Sequence, residues 1–240
     1  MIDCGRHVRG KTIVITGASK GIGKQTAELL SGLGANLVLG ARDGEELSRF
    51  ASTLKSEVYP VPVDVSEERA VNQFAEAAIT RFGNVYALIN CAGTGVFDSV
   101  LSLAAEDFDR MIAVNLRGTF LCCKAFGRHM AERGEGRMIN VVSIAGATAL
   151  PGCGGYSASK FGVLGLSRVL QAELRGKGIQ VTAVLPGAVA TPFWDRMDSK
   201  PDMSQMIPVQ TLARHLIYIL CQPEGASIDE ITIMPPLGIL

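Results

Sequence analysis

Thr12-Ile13-Val14-Ile15-Thr16-Gly17-Ala18-Ser19-Lys20-Gly21-Ile22-Gly23 is the stretch on which the fold turns. Its β-branched run, 12–16, has the composition of a buried strand. The run enters glycines spaced G-x-x-x-G-x-G and then a helix-patterned stretch, 22–33. Strand, glycine turn and helix N-terminus together make the layout that seats a dinucleotide pyrophosphate. The glycines let the backbone come close, and the helix amides and dipole favour negative charge. The general expression G-x-G-x-x-G does not match, so a glycine turn that serves packing alone stands as the alternative.

Outward from this unit, apolar runs at 12–16, 36–40, 58–63, 85–90, 137–143, 180–185 and 230–234 alternate with helix-patterned segments. The helical segments are 22–33, 45–54, 67–82, 105–133, 155–175 and 209–221. Such alternation predicts an α/β fold: one doubly wound domain over 1–240, with a roughly seven-stranded parallel sheet and helices on both faces. The runs alternate little between apolar and polar, as strands covered on both sides do. Residues 191–208 break the pattern with Pro192, Pro201 and Pro208, and with Phe193, Trp194 and Met203 among charges. A loop of this length reads as a substrate lid, or else as a surface loop with incidental aromatics.

Hydrophobic residues make up 48% of the 240 and charged ones 19%, with a formal net charge of zero. A large core follows, and no basic run marks a nucleic-acid surface. The first residues lack an apolar signal core and no membrane-length apolar run follows, so a cytoplasmic protein without membrane contact is expected. Cys4, Cys91, Cys122, Cys123, Cys153 and Cys221 show no CxxC spacing and only three histidines are present, so no metal site is expected. They read as small core fillers, with Cys153, three residues before Tyr156, the one to watch.

Tyr156 and Lys160 stand four apart, on one face of a helix, with Ser143 thirteen residues upstream of the tyrosine. A free phenol titrates near pH ~10. An ammonium about 4 Å away, at an effective dielectric of ~20, is worth roughly 4 kcal/mol, or about three pKa units. The pair is therefore expected to bring the phenol near neutrality, where acid–base catalysis is most effective.

Taken together, these residues resemble the short-chain dehydrogenase/reductase superfamily. Thr16-Gly17 with Gly21 and Gly23 is similar to its cofactor motif, Asn90-Cys91-Ala92-Gly93 to its NNAG segment, and Pro186-Gly187 with Thr191 to its nicotinamide-side segment. Cys91 departs from the usual second asparagine. Asn115, Ser143, Tyr156 and Lys160 fall where that family places its catalytic tetrad. The resemblance runs from about Lys11 to the C-terminus. It implies hydride transfer between a nicotinamide and a carbonyl or secondary alcohol, with Tyr156 as acid or base. Lys160 would lower the tyrosine pKa and bond the ribose, Ser143 would hold the carbonyl oxygen, and Asn115 would position a water for proton relay. Ser143 could instead merely end a strand, and Asn115 be a buried asparagine with a structural partner. The cofactor contacts implied are Gly17, Ser19, Lys20, Gly21, Ile22, Gly23, Arg42, Asp64, Val65, Asn90, Ala92, Gly93, Tyr156, Lys160, Pro186, Gly187, Val189 and Thr191.

Asp43 lies twenty residues past Gly23, the general spacing of a ribose-binding acid. With Glu46 it reads instead as a helix capping box. In the resembled family NAD-selective members carry an acid at the position of Ala41, which here is neutral and followed by Arg42. Arg42 and Lys20 suit a 2′-phosphate, so NADP is expected rather than NAD, unless both are merely solvated charges. Asp64-Val65 matches an adenine contact, although Asp64 could cap the next helix through Ser66. The substrate expected is a small free ketone or hydroxy compound. The alternatives are a 3-oxoacyl group on an acidic carrier docked near Arg133 and Lys177, and, in a different class, a non-catalytic NADP-binding regulator. The resemblance also implies a homotetramer, or a dimer, through helices 105–133 and 155–175.

Overall fold

The computed structural model describes residues 3–196, 202–223 and 225–239. A short helix α1 (Cys4–Val8) precedes β1 (Thr12–Thr16), α2 (Gly21–Gly32), β2 (Asn36–Ala41), α3 (Gly44–Ala51), β3 (Val58–Pro62), α4 (Glu68–Phe82) and β4 (Ala87–Asn90). There follow α5 (Ala105–Met111), α6 (Gly118–Arg133), β5 (Gly136–Val141), α7 (Gly154–Leu174) and β6 (Ile179–Pro186). The chain closes through β7 (Val189–Ala190), β8 (Ile207–Pro208), α8 (Val209–Leu220) and β9 (Glu230–Ile233). Seven strands form one parallel sheet in the order β3-β2-β1-β4-β5-β6-β9.

The near-continuous apolar strands have a direct physical cause. In β1, Ile13 and Ile15 enter the core shared with α2, α3 and α8, whereas Val14 enters the opposite core with α4 and α6. In β2 the same alternation sends Leu37 and Leu39 one way and Val38 the other. Each strand side chain is buried on whichever face it points to, so polar alternation disappears. The edge is treated differently: β3 carries Pro60 and Pro62, which cannot donate to a further strand, and leaves Tyr59 half-exposed.

Two segments depart from the expected pattern. The stretch 105–133 is not one α-helix, because Ile112–Arg117 forms a π-helical turn between α5 and α6. The loop 191–208 is partly ordered: turns of 3₁₀ helix form at Pro192–Arg196 and Met203–Gln205, and β8 pairs in parallel with β7. That small ribbon clamps the base of the loop. Residues 197–201, with Pro201, lie outside the described residues.

Because β1 has β2 on one side and β4 on the other, its crossovers leave in opposite directions. At such a switch point the loops after the strand ends part and open a crevice beside the carboxyl ends of the strands. None of the described helices is long and apolar enough to cross a membrane.

Candidate active site

A cleft of about 840 Å³ opens at that switch point. At its floor β1 runs into Gly17, whose φ of +66° only glycine adopts readily. A side chain at Gly23 would place its Cβ 2.5 Å from the Gly17 carbonyl oxygen, so the start of α2 presses directly on the turn. Lys20 is the N-cap of α2 but its side chain makes no cap hydrogen bond, and the first turn holds no acid. The leading amides of α2 are therefore not taken by the helix's own side chains, which is how a helix start receives a phosphate. Ser19, Lys20, Gly21, Ile22 and Gly23 all line this wall.

Arg42, Asp64 and Val65 line the end of the cleft beyond β2 and β3. Asp64 accepts from the Ser66 amide at 2.9 Å and the Ser66 hydroxyl at 2.7 Å. Burial opposes its ionisation, but those bonds and nearby Arg42 outweigh it and hold the carboxyl below its usual range. The N-cap of α4 is Glu67, so Asp64 makes a local turn with Ser66 and does not cap the helix. Asp43 does cap α3, accepting from the Glu46 amide at 2.9 Å.

At the centre, α7 carries Tyr156 and Lys160 on one face and the end of β5 delivers Ser143. All three line the cleft, as do Ala92, Gly93, Pro186, Gly187, Val189 and Thr191. Ser143 opens a 3₁₀ turn, accepting from the Ala145 amide at 3.1 Å. Lys160 Nζ donates to the Val141 carbonyl at 2.9 Å and stands 5.8 Å from the centre of the Tyr156 ring. The phenol is not brought near neutrality, because burial dominates both groups. It pushes the phenol up to about 12, opposed by a hydrogen bond with Ser143, and lowers the ammonium to about 8.

Two residues expected at the site lie behind its wall. Asn90 sits in the core, donating to Asn140 Oδ1 at 2.9 Å and to Cys123 Sγ at 3.3 Å, and Asn140 donates on to Ser167 Oγ at 2.9 Å. It joins β4, β5 and the helices beneath them and does not line the cleft. Asn115, fully buried in the π-turn, accepts from the Thr94 amide at 2.8 Å. It donates to the Thr94 carbonyl and to Ser159 Oγ, each at 2.9 Å. Its side chain ties the loop after β4 to α7; the buried-asparagine reading describes its contacts. A Cβ at Gly93 would lie 3.4 Å from Asn115 Oδ1 and 3.8 Å from Lys160 Nζ, so that loop passes hard against the centre.

The far end of the cleft is aromatic. The centres of Phe97 and Tyr156 are 5.5 Å apart, Phe193 lies 5.8 Å from each, and Trp194 stacks on Phe97 at 5.8 Å. The Trp194 indole N–H donates to the Val189 carbonyl at 2.8 Å, fixing the ring over β7. Leu150, Cys153, Met206 and Ile239 complete this end. The Cys153 thiol is pushed up by burial. Sequence reasoning reached Phe193 and Trp194 but missed Phe97, Leu150, Met206 and Ile239. The signal for Phe97 was Gly95: a Cβ there would meet Phe193 at 2.6 Å and Phe97 at 3.2 Å, so the glycine makes room for the rings.

Comparison with known proteins agrees with this geometry. The profile of the family described as short chain dehydrogenase matches residues 11–202. An uncharacterised oxidoreductase of Staphylococcus epidermidis is 31% identical, over 95% of this chain and 98% of its own. An alcohol dehydrogenase of the archaeon Thermococcus sibiricus, solved with 5-hydroxy-NADP, is 32% identical with a TM-score of 0.88, covering 95% of this chain and 97% of its own. The structure of ElxO with NADP bound is 27% identical with a TM-score of 0.85, over 94% and 98%. With strand order, glycine turn, Ser143, Tyr156 and Lys160 all in place, the chain belongs to the short-chain dehydrogenase family and is an oxidoreductase.

Proposed function

We propose that this oxidoreductase interconverts a small free carbonyl compound and its secondary alcohol with NADP(H), using Tyr156 as the acid and base. The observation that carries the reading is the convergence of Ser143, Tyr156 and Lys160 on a cleft whose other end is the uncapped start of α2. The residues present fit a nicotinamide dinucleotide: the turn at Gly17 and the leading amides of α2 suit the pyrophosphate, and Lys20 and Arg42 suit a 2′-phosphate. A nicotinamide held there would supply the hydride chemistry at the carbonyl carbon. Tyr156, which keeps its proton at neutral pH, donates it to the developing alkoxide in reduction and recovers it in oxidation. Ser143 donates to the same oxygen, a bond that strengthens as charge develops. Lys160, charged below pH 8, supports the phenolate left behind.

The aromatic end favours a small apolar body on the substrate. A carrier-bound acyl group fits less well. Arg133 and Lys177 lie just before β5 and β6, at the edge of the sheet opposite the cleft. A carrier docked on them would face away from Tyr156. The reading is tested by a panel of aldehydes and ketones assayed with NADPH and NADH, with Tyr156→Phe as control. Turnover lost in the variant supports it. Tight NADPH binding with no turnover on any carbonyl would favour a cofactor-binding regulator.

The same helices that carry the site support self-association into a tetramer or dimer. Phe108 on α5, Phe120 on α6, and Phe161 and Val169 on α7 are each at least 39% exposed. Large apolar faces of this kind are covered in obligate assemblies.

A further inference from the structure

The end of the cleft that would take the 2′-phosphate holds a contact that opposes it. Glu46 is the third residue of α3, and its amide donates to Asp43 Oδ1 at 2.9 Å, one half of a capping box. In a complete box its carboxylate would bend back to the Asp43 amide. Glu46 Oε2 lies instead 3.4 Å from Lys20 Nζ, across the cleft wall. Both side chains line the cleft beside Arg42, with Glu46 32% exposed and Lys20 64% exposed. The neighbouring acids have local work. Asp43 caps α3, and Asp64 is held by the amide and hydroxyl of Ser66. Glu46 alone among these three aims its charge at the ammonium that a 2′-phosphate would need.

We propose that Glu46 is a specificity-determining residue of the cofactor site, whose carboxylate competes for Lys20 and limits the preference for NADPH over NADH. The inference rests on the NADP reading above. A 2′-phosphate brings about two negative charges to a place where one carboxylate already stands, and the repulsion is screened only in part at contact distances. A ribose 2′-hydroxyl pays no such penalty, because a hydroxyl can donate to a carboxylate. Glu46 thus lowers affinity for one cofactor and is neutral toward the other. The wild-type protein binds both, with NADPH ahead by less than Lys20 and Arg42 would give without it.

The test is the dissociation constant of each cofactor, read from nicotinamide fluorescence, for the wild type, Glu46→Gln and Glu45→Gln. Glu45 shares the first turn of α3 but does not line the cleft, so it controls for charge removal at the helix start. Glu46→Gln is expected to tighten NADPH about tenfold while NADH stays within about twofold, and added salt should shrink the gain. Glu45→Gln should leave the ratio of the two constants alone. Thermal melts verify folding, and Glu46→Ser repeats the measurement with a shorter side chain. An unchanged ratio in both Glu46 variants, or an equal rise in Glu45→Gln, overturns the inference. Failure of the NADP reading looks different: the wild type would then bind NADH at least as tightly as NADPH, with Arg42→Ala shifting neither.

Discussion

Tyr156 keeps its proton throughout the neutral range, since burial holds its phenol at about 12 and the Ser143 hydrogen bond offsets only part of that. A protonated phenol is what the proposed reduction would require of it. Lys160 is the group that titrates nearer neutrality. Burial lowers its ammonium from 10.5 to about 8, so it is charged below pH 8 and loses its charge as pH rises through that value. In the proposed mechanism, the support it would give a developing phenolate disappears in the same window. Carbonyl reduction at saturating cofactor is therefore expected to fall above pH 8, and a profile flat to pH 10 would assign the supporting charge elsewhere. Tyr156→Phe removes only the hydroxyl, so folding and cofactor affinity should survive while turnover drops at least about 10²-fold. Lys160→Ala should weaken cofactor binding as well as turnover. Comparable loss of cofactor affinity in both variants would show that Lys160 has no separate role in binding.

At the scale of elements, the start of α2 and the π-turn Ile112–Arg117 set the positions of everything else. Gly23 leaves no room beside the Gly17 carbonyl, so Gly23→Ala must push α2 away from the turn. It should cost about 1–3 kcal/mol, the usual range for overpacking, and weaken dinucleotide binding. Both are read from denaturant melts and a titration, and an unaltered melt would mean that the turn yields freely. Asn115→Leu strands the Thr94 amide and carbonyl in the interior, at roughly 1–3 kcal/mol for each unsatisfied group. If stability were unchanged, the loop after β4 would not depend on that tie. These two elements also show how far the sequence could be read. The strand, turn and helix at 12–33 were legible because hydrophobic period and glycine spacing are local properties. The π-turn was not, since a helix with one extra residue in a turn keeps its apolar pattern on either side. Within it, Asn115 bonds to Thr94 and Ser159, contacts that only the tertiary fold brings together. Asn90 looked like a site residue for the same reason: its position along the chain was right, but only packing shows that its amide points into the core. The expected lowering of the Tyr156 phenol failed on a third ground, because helical spacing places two side chains on a face without saying how deeply each is buried.

For the whole molecule, the sheet decides where chemistry and association can occur. The switch at β1 places the cleft at the carboxyl ends of the strands, so the remaining surface of α5, α6 and α7 is free for other contacts. That surface carries several exposed apolar side chains. Phe161 and Val169 lie eight residues apart on α7, on one side of the helix, and are 46% and 53% exposed. Phe120 on α6 is 44% exposed. A stable pair of copies typically covers about 1,200–2,000 Å² in total, and scattered rings of this size are costly to leave in water over such an area. The wild type is therefore expected to sediment as a tetramer or dimer at micromolar concentration. Phe161→Glu combined with Phe120→Glu places like charges from both copies at the centre of the contact, where burying an unpaired carboxylate is strongly unfavourable. The double variant should sediment as a monomer while its far-ultraviolet circular dichroism stays that of the parent. A wild-type protein already monomeric at that concentration would remove the case for assembly through these helices. A double variant that kept the parent's mass would move the contact to another face, with the half-exposed edge strand β9 the next to examine.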